Sequence, residues 1–181
     1  LLTMVPTVLV LVVAALVTAA AVLGARAASD DAAAMRARAA DAAASTTAID
    51  RLGSQVLGAV AAGVGQTVVT PASLAEAIGA TRGALVGPDA DGVGAAEQSS
   101  AHDAAQSYLD AVQTALDDTG ADPVELGNRL DELDYLHDES VARSDELVAV
   151  LVAAADDADD AVSRRLVLAA GVSIVGVPGV S

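Results

Sequence analysis

The stretch at positions 122–161, DPVELGNRLDELDYLHDESVARSDELVAVLVAAADDADDA, decides the fold class. Asp122 before Pro123, with Glu125 three residues after the aspartate, is a helix start. The carboxylate accepts from orphan amides, the proline ring presets φ, and Glu125 occupies the capping-box slot. Beyond it Leu126, Leu130, Leu133, Leu147, Leu151, Ala154, Ala158 and Ala161 fall on one stripe. No Gly or Pro lies between Asn128 and Ala170, so one uninterrupted helix is predicted from Pro123 through Ala161 and beyond. Sustained period-2 alternation occurs nowhere in the chain, which argues against any sheet.

Residues 25–62 read as the partner of that helix. They hold no Pro and are dominated by Ala, the best helix former. Met35, Ala42, Ile49 and Val56 recur at heptad spacing, with Leu52 and Ala59 beside them. Gly63, Gly65 and Pro71 are expected to end it. Ser73-Leu74-Ala75-Glu76 fits a capping box opening a short second helix, with Leu74, Ile78 and Leu85 on one face and a stop at Gly87-Pro88. A third helix is expected from Ala95 to Asp118, with Ala105, Leu109, Val112 and Leu116 inward. Four amphipathic helices on short connections favour an all-α, up-down-up-down bundle.

Outward from the bundle, Leu1 to Leu23 and Leu166 to Val180 carry no charge, and all 25 acids lie between Asp30 and Asp160. A bilayer core needs roughly 20 apolar residues in a helix. The expectation is therefore a transmembrane helix at 1–24, an extracytoplasmic domain at 25–165 and the start of a second transmembrane helix at 166–181. The protein would sit in the cell membrane as a piece of a longer chain. A cleaved leader is the alternative, since Ala25-Arg26-Ala27 has the small-x-small pattern of a processing site.

Composition narrows the chemistry. There is no Cys, hence no disulfide, thiolate metal site or Cys nucleophile. With no Phe or Trp and two Tyr, the stacking platforms of single-strand binders are missing, and a net charge of -16 repels a phosphate backbone. Nucleic acid is not an expected partner. His102-Asp103 and Asp134, His137 and Asp138 are the imidazole-carboxylate groupings. A di-metal bundle needs two such pairs plus further carboxylates, so these read as solvated polar positions. Asp89-Ala90-Asp91-Gly92 begins like a calcium loop but has Val93 at position 5 and Ser100 at position 12. Asp156, Asp157, Asp159 and Asp160 read as a hydrated face. No catalytic residue, metal or cofactor is expected.

Ala48-Ile49-Asp50-Arg51-Leu52-Gly53-Ser54-Gln55-Val56-Leu57 resembles the first-helix signature of the four-helix sensory domain of nitrate/nitrite sensor kinases and type IV pilus methyl-accepting chemoreceptors, approximately Ile-Asn-x-Ala-Gly-(Arg/Ser)-x-Arg-Met. Ile49, Gly53 and Ser54 match, Asp50 stands for Asn and Leu57 for Met. The family's anion-contacting Arg falls on Val56, so nitrate binding does not carry over. The resemblance implies the sensory region of a prokaryotic signal-transduction receptor, a histidine kinase or a chemoreceptor, with any kinase activity elsewhere. A ligand seam is expected at Arg51, Ser54 and Gln55, because the Arg51 fork suits a small anionic ligand. Ala-rich seams bury little area per residue, and a homodimer would supply more. The alternative is a non-enzymatic membrane-anchored or secreted helical stalk or interaction protein.

Overall fold

The computed structural model describes the backbone of residues 4–61, 70–88, 91–119 and 122–175, and side chains over most of 13–61, 70–88, 91–118 and 122–167. Among the described residues the chain is all helix, without strand: α1 (Met4–Ala61), α2 (Pro71–Ala84), α3 (Ala95–Thr119), α4 (Pro123–Asn128) and α5 (Leu130–Val175). Gly63 and Gly65, expected to end α1, lie outside the described residues, as do Asp89 and Ala90 of the calcium-like loop. The helices form two compact units, Ala37–Leu151 and a second made of Leu1–Arg36 with Val152–Ser181.

Within Ala37–Leu151 successive helices run antiparallel, as the bundle reading expects. Thr81 donates to the Ala48 carbonyl while Ser45 reaches Ala84 on α2. Arg82 of α2 pairs with Asp110 of α3 while His102 reaches back to Val86. The larger core gathers Ile49, Leu52 and Val56 from α1, Leu74 and Ile78 from α2, Tyr108, Leu109 and Val112 from α3, Leu126 from α4 and Leu133 from α5. A smaller cluster joins Ala39, Ala42 and Ala101 to Leu147 and Leu151. Gly94 caps α3 beside it. Its φ of +77° and an approach of 3.3 Å between a would-be Cβ and Leu147 Cδ1 both call for glycine.

Four boundary and register expectations need correction. The second helix starts at Pro71, not at Ser73. Thr70 is the N-cap, and Thr70 and Ser73 each accept from the other's backbone amide at 3.1 and 3.0 Å. Proline at the first helical position sets that frame, leaving Ser73 as the reciprocal partner in place of Glu76. The same helix ends at Ala84, with Leu85 extended at its C-cap. The fourth helix is not continuous, because Arg129 sits at φ -102° and ψ -1° and splits it into α4 and α5. Gly127 and Asn128, both poor helix formers, precede the break, and the Arg129 amide closes a tight turn on Leu126. Finally, Met35 and Ala154 are only partly buried, whereas Ala155, in step with Leu147 and Leu151, is enclosed.

In the second unit α1 and α5 again run antiparallel. Arg36 binds Asp159 and Asp156, and Arg165 donates to the Gly24 carbonyl at 2.7 Å. The Arg36 guanidinium is pushed upward in pKa, first by its hydrogen bond to Asp159 and then by that carboxylate's charge. Ala25, Ala32 and Ala155 are buried here. Among the described residues no helix is long and apolar enough to cross a membrane. Within α1 the side chains of the first uncharged run are described only between Val13 and Leu23, short of roughly 20 residues, before Arg26, Asp30 and Asp31 enter. In the second run the described side chains are Leu166 and Val167. The two flanking membrane helices expected at 1–24 and 166–181 therefore find no support there, and the remainder of both runs lies outside the described side chains.

Candidate functional site

A cleft of about 220 Å³ opens inside the Ala37–Leu151 unit between α1, α3 and α5. Helical periodicity builds it. Asp50, Gly53, Ser54 and Leu57 share a face of α1, and Leu130, Leu133, Asp134 and His137 share a face of α5. Tyr108 of α3 forms the inner wall and is 1% exposed. Its ring meets the His137 ring edge-on, with centroids 5.5 Å apart and planes at 73°.

Gly53 is where α1 admits that pair. A Cβ there would stand 3.0 Å from His137 Cδ2, 3.1 Å from His137 Nε2 and 3.5 Å from the Tyr108 hydroxyl. A glycine at this point is thus a matter of close approach, at a helix-propensity cost of about 1 kcal/mol. His137 Nε2 is buried and lies 3.2 Å from Asp50 Oδ1, but it is not aligned for a hydrogen bond to it. The contact is a charge contact when the imidazole is protonated.

Tyr108 is one of the most deeply buried side chains and lines the cleft, and its hydroxyl makes no hydrogen bond to any described residue. Burial pushes its pKa up to about 12, and the charges of Asp134 and then Asp50 push in the same direction. Both carboxylates therefore act on the phenol's surroundings. The walls away from these groups are apolar, formed by Val56, Leu57, Leu130 and Leu133.

The three residues expected to hold a ligand are separated. Ser54 lies on the cleft rim with its hydroxyl donating to the Asp50 carbonyl at 2.9 Å. Arg51 is exposed and Gln55 half-buried, and neither lines this cleft. The acidic lining is opposite in charge to what an anion requires.

Other singled-out groups have structural partners. His102 Nδ1 lies 3.0 Å from the Val86 carbonyl, which accepts, so Nδ1 carries a proton. Gln98 donates to the Gly87 carbonyl and accepts from Arg38, and Ser45 accepts from the Val86 amide. Together they strap the segment after α2 onto α1 and α3. Among the described residues no group of three His, Asp or Glu could hold a metal ion.

Sequence reasoning missed Tyr108 as a lining residue; Asp134, read as a solvated position, is exposed, whereas His137, read the same way, is half-buried. The available signal was compositional: one of only two tyrosines, in a chain without Phe or Trp, lies next to Leu109 in the inward row of the third helix. No protein-family profile, curated protein or solved structure matches this chain.

Proposed function

We propose that this chain is the membrane-anchored sensory region of a signal-transduction receptor, with the cleft around Tyr108 as its ligand site. The observation that carries the reading is a cleft walled by three helices into which two unpartnered polar groups converge: the hydroxyl of Tyr108, a residue 1% exposed, and the buried Nε2 of His137. Folded domains satisfy nearly all their buried polar groups; among the described residues His137 Nε2 and Ser140 Oγ are the buried side-chain atoms left over, and a ligand in the cleft is a natural partner for the one that lines it, His137 Nε2.

Two further features support it. The cleft is built on α1 and α5, whose 58 and 46 residues run toward the uncharged ends of the chain. A small change in their packing at the cleft has a continuous helix to travel along. Val13, Leu16, Val17, Val22 and Leu23 on α1 and Leu166 and Val167 on α5 are exposed. Large exposed apolar surface calls for lipid or protein cover, and Leu1 to Leu23 is long enough in sequence to provide a lipid-covered span. The bundle then faces the extracytoplasmic side, and a homodimer would cover part of the remaining surface.

The test is a chimera in which residues 1–181 replace the sensory region of a membrane-bound histidine kinase. It should resist carbonate extraction. Gly53→Val, which drives a side chain into His137, should shift its basal output, while Arg51→Ala, off the cleft, should not. Release by carbonate would remove the anchor, and an output blind to Gly53→Val would favour a helical stalk without a ligand.

A further inference from the structure

Resting on that reading of the cleft, we infer that its ligand is a small organic ammonium ion with an apolar body. Two carboxylates, Asp50 on α1 and Asp134 on α5, line the cleft from opposite helices, and no Arg lines it. A pair of acids alone would be an ordinary solvated surface. The independent observation is the Tyr108 hydroxyl, which belongs to a side chain 1% exposed, lines the same cleft and is unpartnered among the described residues. A phenol in its neutral form accepts as well as donates, so an N–H donor between the two carboxylates would give all three groups a partner; His137 Nε2, 3.2 Å from Asp50 Oδ1, makes no hydrogen bond to it and leaves that carboxylate open to one.

The choice of an organic cation over a bare metal ion follows from the donor geometry. Asp50, Asp134 and His137 share the cleft but do not converge to a metal-binding group, and neither does any other described set. Size and lining then fix the body. The cleft's 220 Å³ exceeds the roughly 150 Å³ cavity that accommodates benzene in an engineered lysozyme. Val56, Leu57, Leu130 and Leu133 give the non-polar part of a ligand a place out of water. The Tyr108 ring adds aromatic surface against which a cation is favoured.

The experiment is titration calorimetry on the full chain in lipid nanodiscs with four probes: benzylammonium, benzyl alcohol, benzoate and calcium ion. Benzylammonium should bind, and the other three should not at tenfold higher concentration. Asp134→Asn and Asp50→Asn should each weaken it by about tenfold, the scale of one charge-assisted hydrogen bond. Arg51→Ala should leave it unchanged. Partition of the probe into lipid is separated by the double Asp variant, which keeps partition and loses binding. Equal binding of benzyl alcohol or benzoate, stoichiometric calcium binding at the cleft, no binding at all, or affinity unaffected by the Asp variants would each overturn the proposal. Benzoate binding that Gly53→Val removes would reject the ammonium while leaving the cleft as the ligand site. Absence of binding by all four probes, together with a chimera indifferent to Gly53→Val, would remove the sensory reading as well.

Discussion

The core around Tyr108 and the cluster around Ala42 use the same helices in opposite ways. Around Tyr108, α1 contributes Ile49, Leu52 and Val56, and α3 contributes Leu109, Val112 and Leu116. Large side chains and two rings meet there, and a cleft of about 220 Å³ remains. Around Ala42, alanines of α1 and α3 face Leu147 and Leu151. The void beside them is about 20 Å³, room for about one water, lined by Ser45, Gln98, His102 and Ser144 among others. The difference teaches that cavity space in a helical bundle comes from irregular large side chains, while uniform small ones close the seam. It also separates roles: the Ala42 cluster holds the helices together, and the Tyr108 region can hold something else.

The largest effect that would break this comparison is on stability. Leu109 is fully enclosed in the larger core, so Leu109→Ala should cost about 2–5 kcal/mol. Ala42→Gly in the small cluster should cost about 1 kcal/mol, mostly through helix propensity. Urea midpoints measured side by side check this, and equal losses would mean that the two regions do not divide the work as described.

Next in size is an alkaline transition belonging to the Tyr108 region alone. Its folded-state pKa of about 12 stands above the ordinary value of 10.0, because burial and two carboxylates disfavour the phenolate. The neutral phenol therefore contributes stability that is fully present below pH 10 and lost as pH rises through about 12. The loss is on the order of 2–3 kcal/mol. Tyr108→Phe should flatten that dependence. Stability curves with the same alkaline slope in both proteins would show that the phenol is not held in a low-dielectric wall.

A smaller effect is expected at Gly53. Gly53→Ala gains about 1 kcal/mol of helix propensity, and the added methyl must displace His137, which borders open cleft and can yield. The midpoint should move by less than about 1 kcal/mol, while the ring-current shift of the His137 Cδ2 proton changes. An unchanged His137 resonance would show that the ring does not abut α1 at this point.

Much of the fold is legible in the sequence because it rests on helical period and on strong punctuation. Leu74, Ile78, Leu109, Val112, Leu126, Leu133, Leu147 and Leu151 are all buried as their spacing requires, and α3 ends within a residue of its expected boundary. The misses have local physical causes. Ser73-x-x-Glu76 fits the sequence pattern of a capping box and Thr70-x-x-Ser73 does not, yet Thr70 and Ser73 form the reciprocal bonds, because Pro71 at the first helical position sets the frame. Ala154 and Ala155 are chemically identical, so only packing assigns the buried one. Arg129 breaks a helix in which the only warning is the pair Gly127-Asn128.

The candidate site was less legible. Gly53 and Ser54 stand out along the chain. That Tyr108 and His137 face Gly53, however, depends on the register among three helices up to about a hundred residues apart, which no local pattern encodes. The Arg51 expectation followed from the rarity of cations on that helix. The structure turns Arg51 outward and gives the cleft to acids.

The most direct measurement is of the two tyrosines, labelled with ¹³C at the ring ε positions in the full chain in nanodiscs and titrated with benzylammonium. Tyr108 lines the cleft and Tyr135 is 67% exposed on α5. The Tyr108 resonance should shift saturably while Tyr135 stays in place, and the shift should vanish in the Asp50→Asn, Asp134→Asn double variant. A Tyr108 signal that never moves, or two tyrosines that move together without saturation, would contradict the assignment of this cleft as a ligand site for an organic cation.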